Sequence, residues 1–275
     1  MKKTSARKSS AARKSVAAHK KTATRKKAAA PKKTTTRKKA AAPKKTVARR
    51  KAATRKPKGK ESLDALKKRA GRIAALLRKK YPGAGTALSA ENPFELLVAT
   101  VLSAQCTDTR VNMVTRTLFK KYRSPDDFAG ARRSTLEKEI RPTGFFRAKA
   151  RSIMELSQDI VDKFGGKVPD NMDDLVTLRG VGRKTANVVL AGYFNKPAIA
   201  VDTHVRRVSG RLGLTANTDP VKIEFDLMDI LPEREWQPFS FIVILHGREV
   251  CKSRRPRCEL CILKKYCPSS ELADR

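Results

Sequence analysis

The sequence predicts an all-α fold that follows a disordered basic tail, and three observations lead to this prediction. Apolar residues recur at helical spacing through most of the chain after residue 60, whereas the alternation typical of β-strands is scarce. Gly and Pro residues separate the helical segments, as in GGKVPDN at residues 165–171 and NKPAIAVD at residues 195–202. Residues 1–60 contain 25 of the 63 Lys and Arg residues and none of the 26 acidic residues.

The basic tail, residues 1–60, lacks Leu, Ile, Phe, Trp and Tyr, so it cannot bury enough apolar surface to offset the entropy of ordering. RKKAAAPKKT occurs in it twice, at residues 25–34 and 37–46, and its composition is similar to that of linker-histone tails. A transit peptide, a membrane-surface segment and a solubility tail are alternatives, but the tail lacks the apolar face or anchor that the first two need. Nucleic-acid binding is favoured, because a polycation releases counterions condensed on DNA.

Nine segments of the remaining chain show helical periodicity. Asn92 and Pro93 suit the N-cap and the first position of one of them. No apolar run reaches the roughly 18 residues of a membrane span, and no signal-peptide h-region follows the basic start. The predicted helices cover residues 61–81, 92–105, 107–122, 146–164, 171–178, 183–194, 203–212, 219–230 and 236–249.

A helix–hairpin–helix is predicted at LRGVGRKTANVVL, residues 178–190. One helix ends at Leu178, Gly180 and Gly182 allow a tight reversal, and the next helix begins at about Arg183. The free backbone N–H groups at the start of the second helix form a phosphate site, so such a hairpin grips the DNA backbone without reading its sequence. An ordinary turn with two glycines would leave the same pattern.

Lys184 and Asp202 are the candidate catalytic residues. Lys184 lies in the first turn of a helix, where the positive end of the helix dipole favours the neutral amine that a nucleophile needs. Asp202 follows 18 residues later in VDTHVRRV, where it also suits the N-cap of the next helix. From spacing alone, a solvated lysine and a plain helix cap are the simpler interpretations.

Four of the five cysteines lie within 17 residues near the C-terminus, with the spacing C-x6-C-x2-C-x5-C. Four thiolates in one short segment suit zinc or an iron–sulfur cluster, although only one pair has the close spacing of a zinc knuckle. Disulfides are disfavoured because no secretory signal is present. The segment KSRRPR, residues 252–257, carries four cations for phosphate contacts. The cysteines are Cys251, Cys258, Cys261 and Cys267.

These three motifs occur in the order and with the gaps of the endonuclease III family, which the sequence closely resembles. This family comprises iron–sulfur DNA glycosylases of the helix–hairpin–helix superfamily. NPFELLVATVLSAQCTD at residues 92–108 and FIVILHGREVC at residues 241–251 are similar to the same family. The resemblance covers residues 62–268 and none of the tail.

The resemblance implies a bifunctional DNA glycosylase and abasic-site lyase that excises oxidised pyrimidines from duplex DNA. Lys184 is implied to attack C1′ of the sugar, displace the flipped base and form a Schiff base, after which β-elimination cleaves the 3′ side. Asp202 is implied to activate this amine and to offset the positive charge that develops on the sugar. We expect these two residues to face each other across a cleft.

The resemblance also implies a set of DNA contacts. Gln105 matches the residue that fills the space left by the flipped nucleotide, and Phe145 falls where the family places an apolar wedge. Arg179 stands in place of the proline of the usual LPGVG motif and adds a cation. Further contacts are expected from Gly180, Val181 and Gly182 of the hairpin and from Lys252, Arg254, Arg255 and Arg257 of KSRRPR.

Two helical domains with DNA bound between them are implied for the folded part. A six-helix barrel with the hairpin takes residues 86–196, and an iron–sulfur domain joins residues 62–85 to residues 197–275. The four cysteines are implied to ligate a 4Fe–4S cluster, with zinc as the lesser alternative. Cys106 lies far from Cys251 in the sequence and is interpreted as a buried hydrophobic residue.

The expected partner is double-stranded DNA with damaged bases or abasic sites. The protein is expected to bind this DNA as a monomer and to have no membrane partner. A bacterial protein of this kind would be cytoplasmic and nucleoid-associated, and a eukaryotic one nuclear. A monofunctional adenine glycosylase would lack Lys184 and carry a further C-terminal domain, whereas this sequence continues for only eight residues after Cys267. A pyrimidine-dimer glycosylase/lyase would keep both Lys184 and Asp202. A non-enzymatic DNA-compacting protein would not need that pair.

Overall fold

The backbone between residues 61 and 270 is helical or irregular throughout. A computed structural model describes these residues and has no β-strand among them, so the all-α prediction is confirmed for this part of the chain. The predicted disordered tail, residues 1–60, lies outside the described residues. Within residues 61–270 no helix is both long and apolar enough to cross a membrane.

Eleven α-helices follow one another along the described residues, which all belong to one compact unit. Four short 3₁₀ segments, at Arg141–Thr143, Glu233–Glu235, Cys258–Leu260 and Lys264–Tyr266, lie between or after them. The helices are α1 (Leu63–Lys80), α2 (Pro93–Leu102), α3 (Asp108–Lys121), α4 (Pro125–Ala129), α5 (Arg133–Glu139), α6 (Phe146–Phe164), α7 (Met172–Leu175), α8 (Arg183–Gly192), α9 (Thr203–Arg211), α10 (Pro220–Ile230) and α11 (Trp236–Glu249).

Polar side chains cap many of these helices at their N-termini. Asn92 Oδ1 accepts a hydrogen bond from the backbone N–H of Glu95 at 2.9 Å, and Pro93 takes the first helical position of α2, as predicted. α2 nevertheless ends at Leu102, three residues before the predicted end. The caps satisfy N–H groups that have no partner within the helix.

Two short helices, α4 and α5, were not predicted from the sequence. Ser124 and Asp127 form a capping box at the start of α4, because each side chain accepts a hydrogen bond from the backbone N–H of the other. Helices of five and seven residues are too short to show a clear apolar period. Their stability comes from packing, since Phe128 and Leu136 are fully buried against the core.

The apolar side chains form two separate cores. The first core is built mainly from α2 to α8 and includes Leu97, Phe128 and Ile153, whereas the second is built from α1 and α9 to α11 and includes Ile73 and Phe239. Helix α11 contributes to both cores. The predicted domain boundaries at residues 86 and 197 stay a prediction.

Candidate active site

The predicted hairpin lies between α7 and α8. The backbone conformation requires glycine at only one of its two glycine positions. Gly180 has a φ of 77°, and a Cβ there would lie 3.0 Å from the Cβ of Ser152. Gly182 is the N-cap of α8 in extended backbone, with open space around its missing side chain. The preceding helix was predicted to reach Leu178 but ends at Leu175, and a turn covers the remaining residues.

The start of α8 offers backbone N–H groups that no capping side chain occupies. Val181 is buried and anchors the hairpin in the first core, while Gly180 and Gly182 are exposed. Open N–H groups at a helix N-terminus attract anions such as a DNA phosphate. The hairpin therefore has the geometry needed to bind a phosphate of the DNA backbone.

Lys184 and Asp202 line the same cavity, which lies where α8, α9, α3 and α11 approach one another. Lys184 stands in the first turn of α8. Asp202 caps α9, because its Oδ1 accepts hydrogen bonds from the backbone N–H groups of His204 at 2.8 Å and Val205 at 2.7 Å. The cap holds the carboxylate in place at the cavity wall, and Oδ2 takes no part in it.

The cavity changes the acidity of the Lys184 amine. Although this side chain is accessible to solvent, the surrounding walls remove enough water from the ammonium to lower the pKa of Lys184. The carboxylates of Asp202 and Asp108 oppose this shift and raise the pKa. The net lowering increases the fraction of neutral amine near pH 7, and the neutral amine is the nucleophilic form.

Asp108 is a second carboxylate of this cavity that the sequence did not single out. It is the first residue of α3, and its Oδ2 accepts a hydrogen bond from Arg248 Nη2 of α11 at 2.8 Å. Both residues lie within segments that pointed to the family. Nothing in the sequence pairs them, however, because 140 residues separate them.

His204 lines the same cavity, next to Asp202. Burial lowers the pKa of His204, so its ring is mainly neutral at pH 7. Its Nδ1 lies 3.1 Å from Nη2 of Arg207, whose Nη2 also donates to the carbonyls of Gly247 and Cys251. The guanidinium of Arg207 thus connects the His204 ring to the end of α11.

Gln105 and Phe145 line a second groove together with Gly180 of the hairpin. Both residues have left-handed backbone, with φ values of 53° and 47° respectively. For residues other than glycine, this conformation costs on the order of 1–3 kcal/mol each. The side chain of Phe145 is 66% exposed, so burial does not compensate the cost at this position. The two residues expected to enter DNA are therefore strained, exposed and close to the hairpin.

Arg179 lies in an ion pair rather than standing free at the hairpin. Its Nε is 3.1 Å from Oε2 of Glu155 on α6, and Glu155 also accepts a hydrogen bond from Arg151. The backbone N–H of Arg179 donates to Asp159 at 3.3 Å. These carboxylates offset part of the charge that Arg179 brings to the hairpin.

The KSRRPR loop is exposed, and one arginine outside the loop holds its backbone. Arg211 of α9 donates hydrogen bonds to the carbonyl oxygens of Lys252 at 2.6 Å and Ser253 at 2.8 Å. None of the loop cations takes part in an ion pair with a carboxylate among the residues that the structure describes. The exposed cationic residues are Lys252, Arg254, Arg255 and Arg257.

The four clustered cysteines line one cavity between the end of α9, the end of α11 and the C-terminal 3₁₀ segments. None of them forms a disulfide. Among residues 61–270, no three His, Cys, Asp or Glu side chains converge on a point where they would hold one metal ion. Four thiols around one cavity match the donor set of a 4Fe–4S cluster, in which each thiolate binds a different iron.

The chemistry of this cysteine cavity fits a cationic iron–sulfur core. Burial raises the pKa values of the Cys258, Cys261 and Cys267 thiols, and repulsion between neighbouring thiolates adds to the effect. Bound iron would offset the unfavourable ionisation of these thiols, since it replaces the thiol protons. His246 Nε2 lies 3.6 Å from Cys261 Sγ, and burial lowers the pKa of His246 to about 4, so the ring is neutral. Arg211 Nη1 lies 3.5 Å from Cys251 Sγ and supplies a hydrogen bond of the kind that tunes such clusters.

Residues 98–233 match the family model described as HhH-GPD superfamily base excision DNA repair protein. The endonuclease III of Synechocystis sp. is 51% identical over 206 residues, which are 74% of this chain and 94% of that protein. The chain belongs to the endonuclease III family. The endonuclease III of Bacillus subtilis is 46% identical, over 71% of this chain and 90% of that protein.

Solved endonuclease III structures have the same fold. A trapped endonuclease III–DNA covalent intermediate, an estranged-adenine complex, superposes with a TM-score of 0.73 at 45% identity, covering 76% of this chain and 99% of that one. A non-covalent endonuclease III–DNA complex superposes with the same TM-score and identity, covering 98% of that chain. The predicted family and fold are confirmed.

The endonuclease III fold brings together residues that sequence reasoning did not connect. Asp108 and Arg248 join the cavity of Lys184, and Arg207 and Arg211 link α9 to the cysteine segment. The helical spacing of the two arginines on α9 is the one sequence signal that places them on a common face. Cys106 packs against the first core but is partly exposed and lines the cavity of Lys184, so its interpretation as a buried hydrophobic residue holds only in part.

Proposed function

We propose that this protein excises oxidised pyrimidines from duplex DNA and then cleaves the strand at the abasic site, as a base excision repair glycosylase and lyase. The observation that carries the proposal is the position of Lys184, whose pKa is lowered, in one cavity with Asp202. The family relationship supports it, because an endonuclease III has been trapped in a covalent intermediate with DNA.

The proposed reaction begins with the neutral amine of Lys184. Nζ attacks C1′ of the flipped nucleotide, the bond between C1′ and the base breaks, and the base leaves with the electron pair and takes up a proton. Asp202 stabilises the positive charge that develops on the sugar and receives the proton released by the amine. The sugar ring then opens to a Schiff base with Lys184.

Strand cleavage follows from this Schiff base. A proton leaves C2′, the bond between C3′ and its oxygen breaks, and the phosphate departs on the 3′ side. Water then hydrolyses the Schiff base and regenerates the free amine. His204, which is mainly neutral in the cavity wall, is placed to pass protons between this site and solvent.

The proposed DNA path runs over the cavity of Lys184 and over the groove lined by Gln105 and Phe145. The hairpin residues Gly180, Val181 and Gly182 contact a phosphate, mainly through the N–H groups of Gly180 and Gly182, because the N–H of Val181 already donates to the carbonyl oxygen of Leu178 at 3.1 Å. Gln105 and Phe145 enter the duplex at the flipped nucleotide. Arg179 contributes less than an unpaired cation because Glu155 offsets part of its charge. Phosphate contacts from the KSRRPR loop are assigned to Lys252, Arg254, Arg255 and Arg257.

We assign the two cores to two domains, a six-helix barrel of residues 86–196 and an iron–sulfur domain of residues 62–85 with 197–275. Cys251, Cys258, Cys261 and Cys267 would hold a 4Fe–4S cluster in the second domain. When bound, the cluster would cross-link the C-terminal segment and hold the KSRRPR loop in position. The protein acts as a monomer in the cytoplasm, associated with the nucleoid, where the basic tail adds non-specific affinity for DNA.

Borohydride trapping tests the proposed chemistry. Wild-type protein is incubated with abasic-site duplex and borohydride, which reduces a Schiff base to a stable adduct. We expect an adduct with wild type and with Lys222→Gln, a substitution at an exposed surface lysine, and none with Lys184→Gln. An equal yield from Lys184→Gln would contradict the assignment. A panel of oxidised pyrimidines, photodimers, abasic sites and A:G mismatches then separates this activity from pyrimidine-dimer excision.

A further inference from the structure

Lys149 of α6 is a buried cation that the proposed chemistry does not use. Its residue exposure is 5%, although it lies on the helix that begins directly after Phe145. Its Nζ donates hydrogen bonds to the carbonyl oxygen of Leu102 at 2.8 Å and to that of Thr143 at 2.8 Å. Burying a lysine is unfavourable unless its ammonium group is hydrogen-bonded, and the two carbonyl groups supply those partners here.

Both carbonyl groups lie at the ends of helical segments. Leu102 is the last residue of α2, and Thr143 is the last residue of the 3₁₀ segment Arg141–Thr143. Carbonyl groups at such ends have no partner within their own helix, and a cation there is favoured by the helix dipole. One ammonium group therefore caps two chain segments at once.

Each capped segment leads directly into a strained residue of the DNA-facing groove. Gln105 follows Leu102 by three residues, Phe145 follows Thr143 by two, and both have positive φ. The backbone N–H of Lys149 also donates to the carbonyl oxygen of Phe145 at 3.0 Å. Lys149 also lines the same groove as these two residues.

We propose that Lys149 is a positioning residue that sets the separation between Gln105 and Phe145, so that both enter DNA together at the flipped nucleotide. The inference rests on the proposed function, because it assumes that these two side chains act on the duplex. Without the ammonium, two buried carbonyl groups would lose their donor, and each strained turn would be free to relax independently.

The test compares Lys149→Met with Leu156→Ala. Methionine keeps an unbranched apolar chain that is shorter only by the terminal ammonium group, and it removes the donors. Leu156 is a fully buried residue of the same helix that donates no side-chain hydrogen bond. Affinity is measured for a duplex with a tetrahydrofuran abasic analogue and for an undamaged duplex. We expect Lys149→Met to reduce the ratio of these affinities on the order of 10- to 100-fold, as misplacement of positioning groups does. Affinity for undamaged DNA should change by no more than about twofold, because the phosphate contacts remain.

Leu156→Ala should lower the melting temperature but leave the affinity ratio unchanged. An unchanged ratio in Lys149→Met, or an equal loss in both variants, would overturn the proposal. A second comparison uses a lesion opposite a mismatched base, which is easier to extrude. The defect of Lys149→Met in single-turnover excision should be smaller on this duplex. An equal defect on both duplexes would show that Lys149 does not act through base extrusion.

Hydrogen exchange without DNA separates this inference from the proposed function. Lys149→Met should accelerate amide exchange in residues 103–106 and 143–146 more than elsewhere, and Leu156→Ala should not. Wild-type protein that shows no preference for the abasic duplex would contradict the proposed function. Unchanged local exchange in Lys149→Met would contradict the positioning role itself.

Discussion

Arg183 and Glu224 form an ion pair with two hydrogen bonds that joins α8 to α10. Arg183 Nε lies 2.9 Å from Glu224 Oε2, and Arg183 Nη2 lies 2.8 Å from Oε1. The Glu224 side chain is only 5% exposed, whereas that of Arg183 is 35% exposed and lies over the ring of Phe225 at 5.0 Å. Because Arg183 directly precedes Lys184, this pair helps to set where the amine stands relative to the elements of the second core.

Removing one partner of this pair should destabilise the protein. Arg183→Met leaves the Glu224 carboxylate buried without its cation, at a cost of about 2–4 kcal/mol, below the value for fully buried pairs because the guanidinium is partly solvated. Denaturant unfolding measures the change. The double variant Arg183→Met with Glu224→Met should recover much of the loss, because no unpaired buried charge remains.

The surface pair between Arg133 and Glu137 provides the matched control for this prediction. Arg133→Met should cost less than about 1 kcal/mol, as exposed pairs within one helix do. Equal losses in the free energy of unfolding for Arg183→Met and Arg133→Met would show that the buried pair stabilises the protein no more than an exposed pair does.

The pH dependence of the lyase step should follow the pKa of Lys184. Asp202 raises this pKa, so Asp202→Asn should lower it and increase the neutral fraction of the amine at a given pH. The acidic limb of the single-turnover pH–rate profile should therefore shift to lower pH, even though the maximal rate falls. Asp108→Asn should shift the limb in the same direction.

Asp162→Asn, at an exposed carboxylate of α6, is the control for charge alone and should leave the limb in place. A shift to higher pH in Asp202→Asn, or equal shifts in all three variants, would contradict the electrostatic role of the cavity carboxylates.

Gly180→Ala should destabilise the hairpin. The residue has a φ of 77°, and its new Cβ would meet Ser152 at 3.0 Å, so we expect a loss of about 2–3 kcal/mol from strain and overlap. Gly182→Ala should change stability by less than about 0.5 kcal/mol, because its backbone is extended and its surroundings are open. It should still weaken DNA binding, since a methyl group would crowd the approaching phosphate. Thermal unfolding and binding anisotropy of the two variants distinguish these effects.

Cys258→Ser should reduce the iron and sulfide content of anaerobically purified protein and lower its melting temperature, because one ligand of the cluster is removed. Cys106→Ser should leave the iron content unchanged, since Cys106 lines the cavity of Lys184 instead. Stoichiometric zinc without iron in the wild-type protein would disprove the cluster assignment.

Deletion of residues 2–60 should weaken binding to undamaged DNA and make the plot of log affinity against log salt shallower. The slope falls by about 0.9 for every DNA phosphate that the tail no longer neutralises. A tail of the same composition in scrambled order should keep the original slope, because counterion release depends on charge rather than on sequence. An unchanged slope after deletion would mean that the tail does not touch DNA.

Local patterns in the sequence determined the helical architecture and the candidate catalytic residues. The prediction of a helix at residues 236–249 matches α11, and that at residues 146–164 matches α6, because long amphipathic helices repeat their apolar residues over several turns. Spacing alone favoured a solvated lysine at Lys184 and a plain helix cap at Asp202. Their catalytic roles followed from the resemblance, because three motifs occur in the order and with the gaps of the endonuclease III family.

Tertiary structure alone decided which distant residues meet and which turns are strained. Arg183 and Glu224 are 41 residues apart, Lys149 and Leu102 are 47 apart, and Asp108 and Arg248 are 140 apart. The left-handed backbone of Gln105 and Phe145 also leaves no mark in the composition of their segments. The physical reason is that helical periodicity arises from contacts within a few residues, whereas buried ion pairs, capped carbonyl groups and strained turns depend on how the packed helices approach one another.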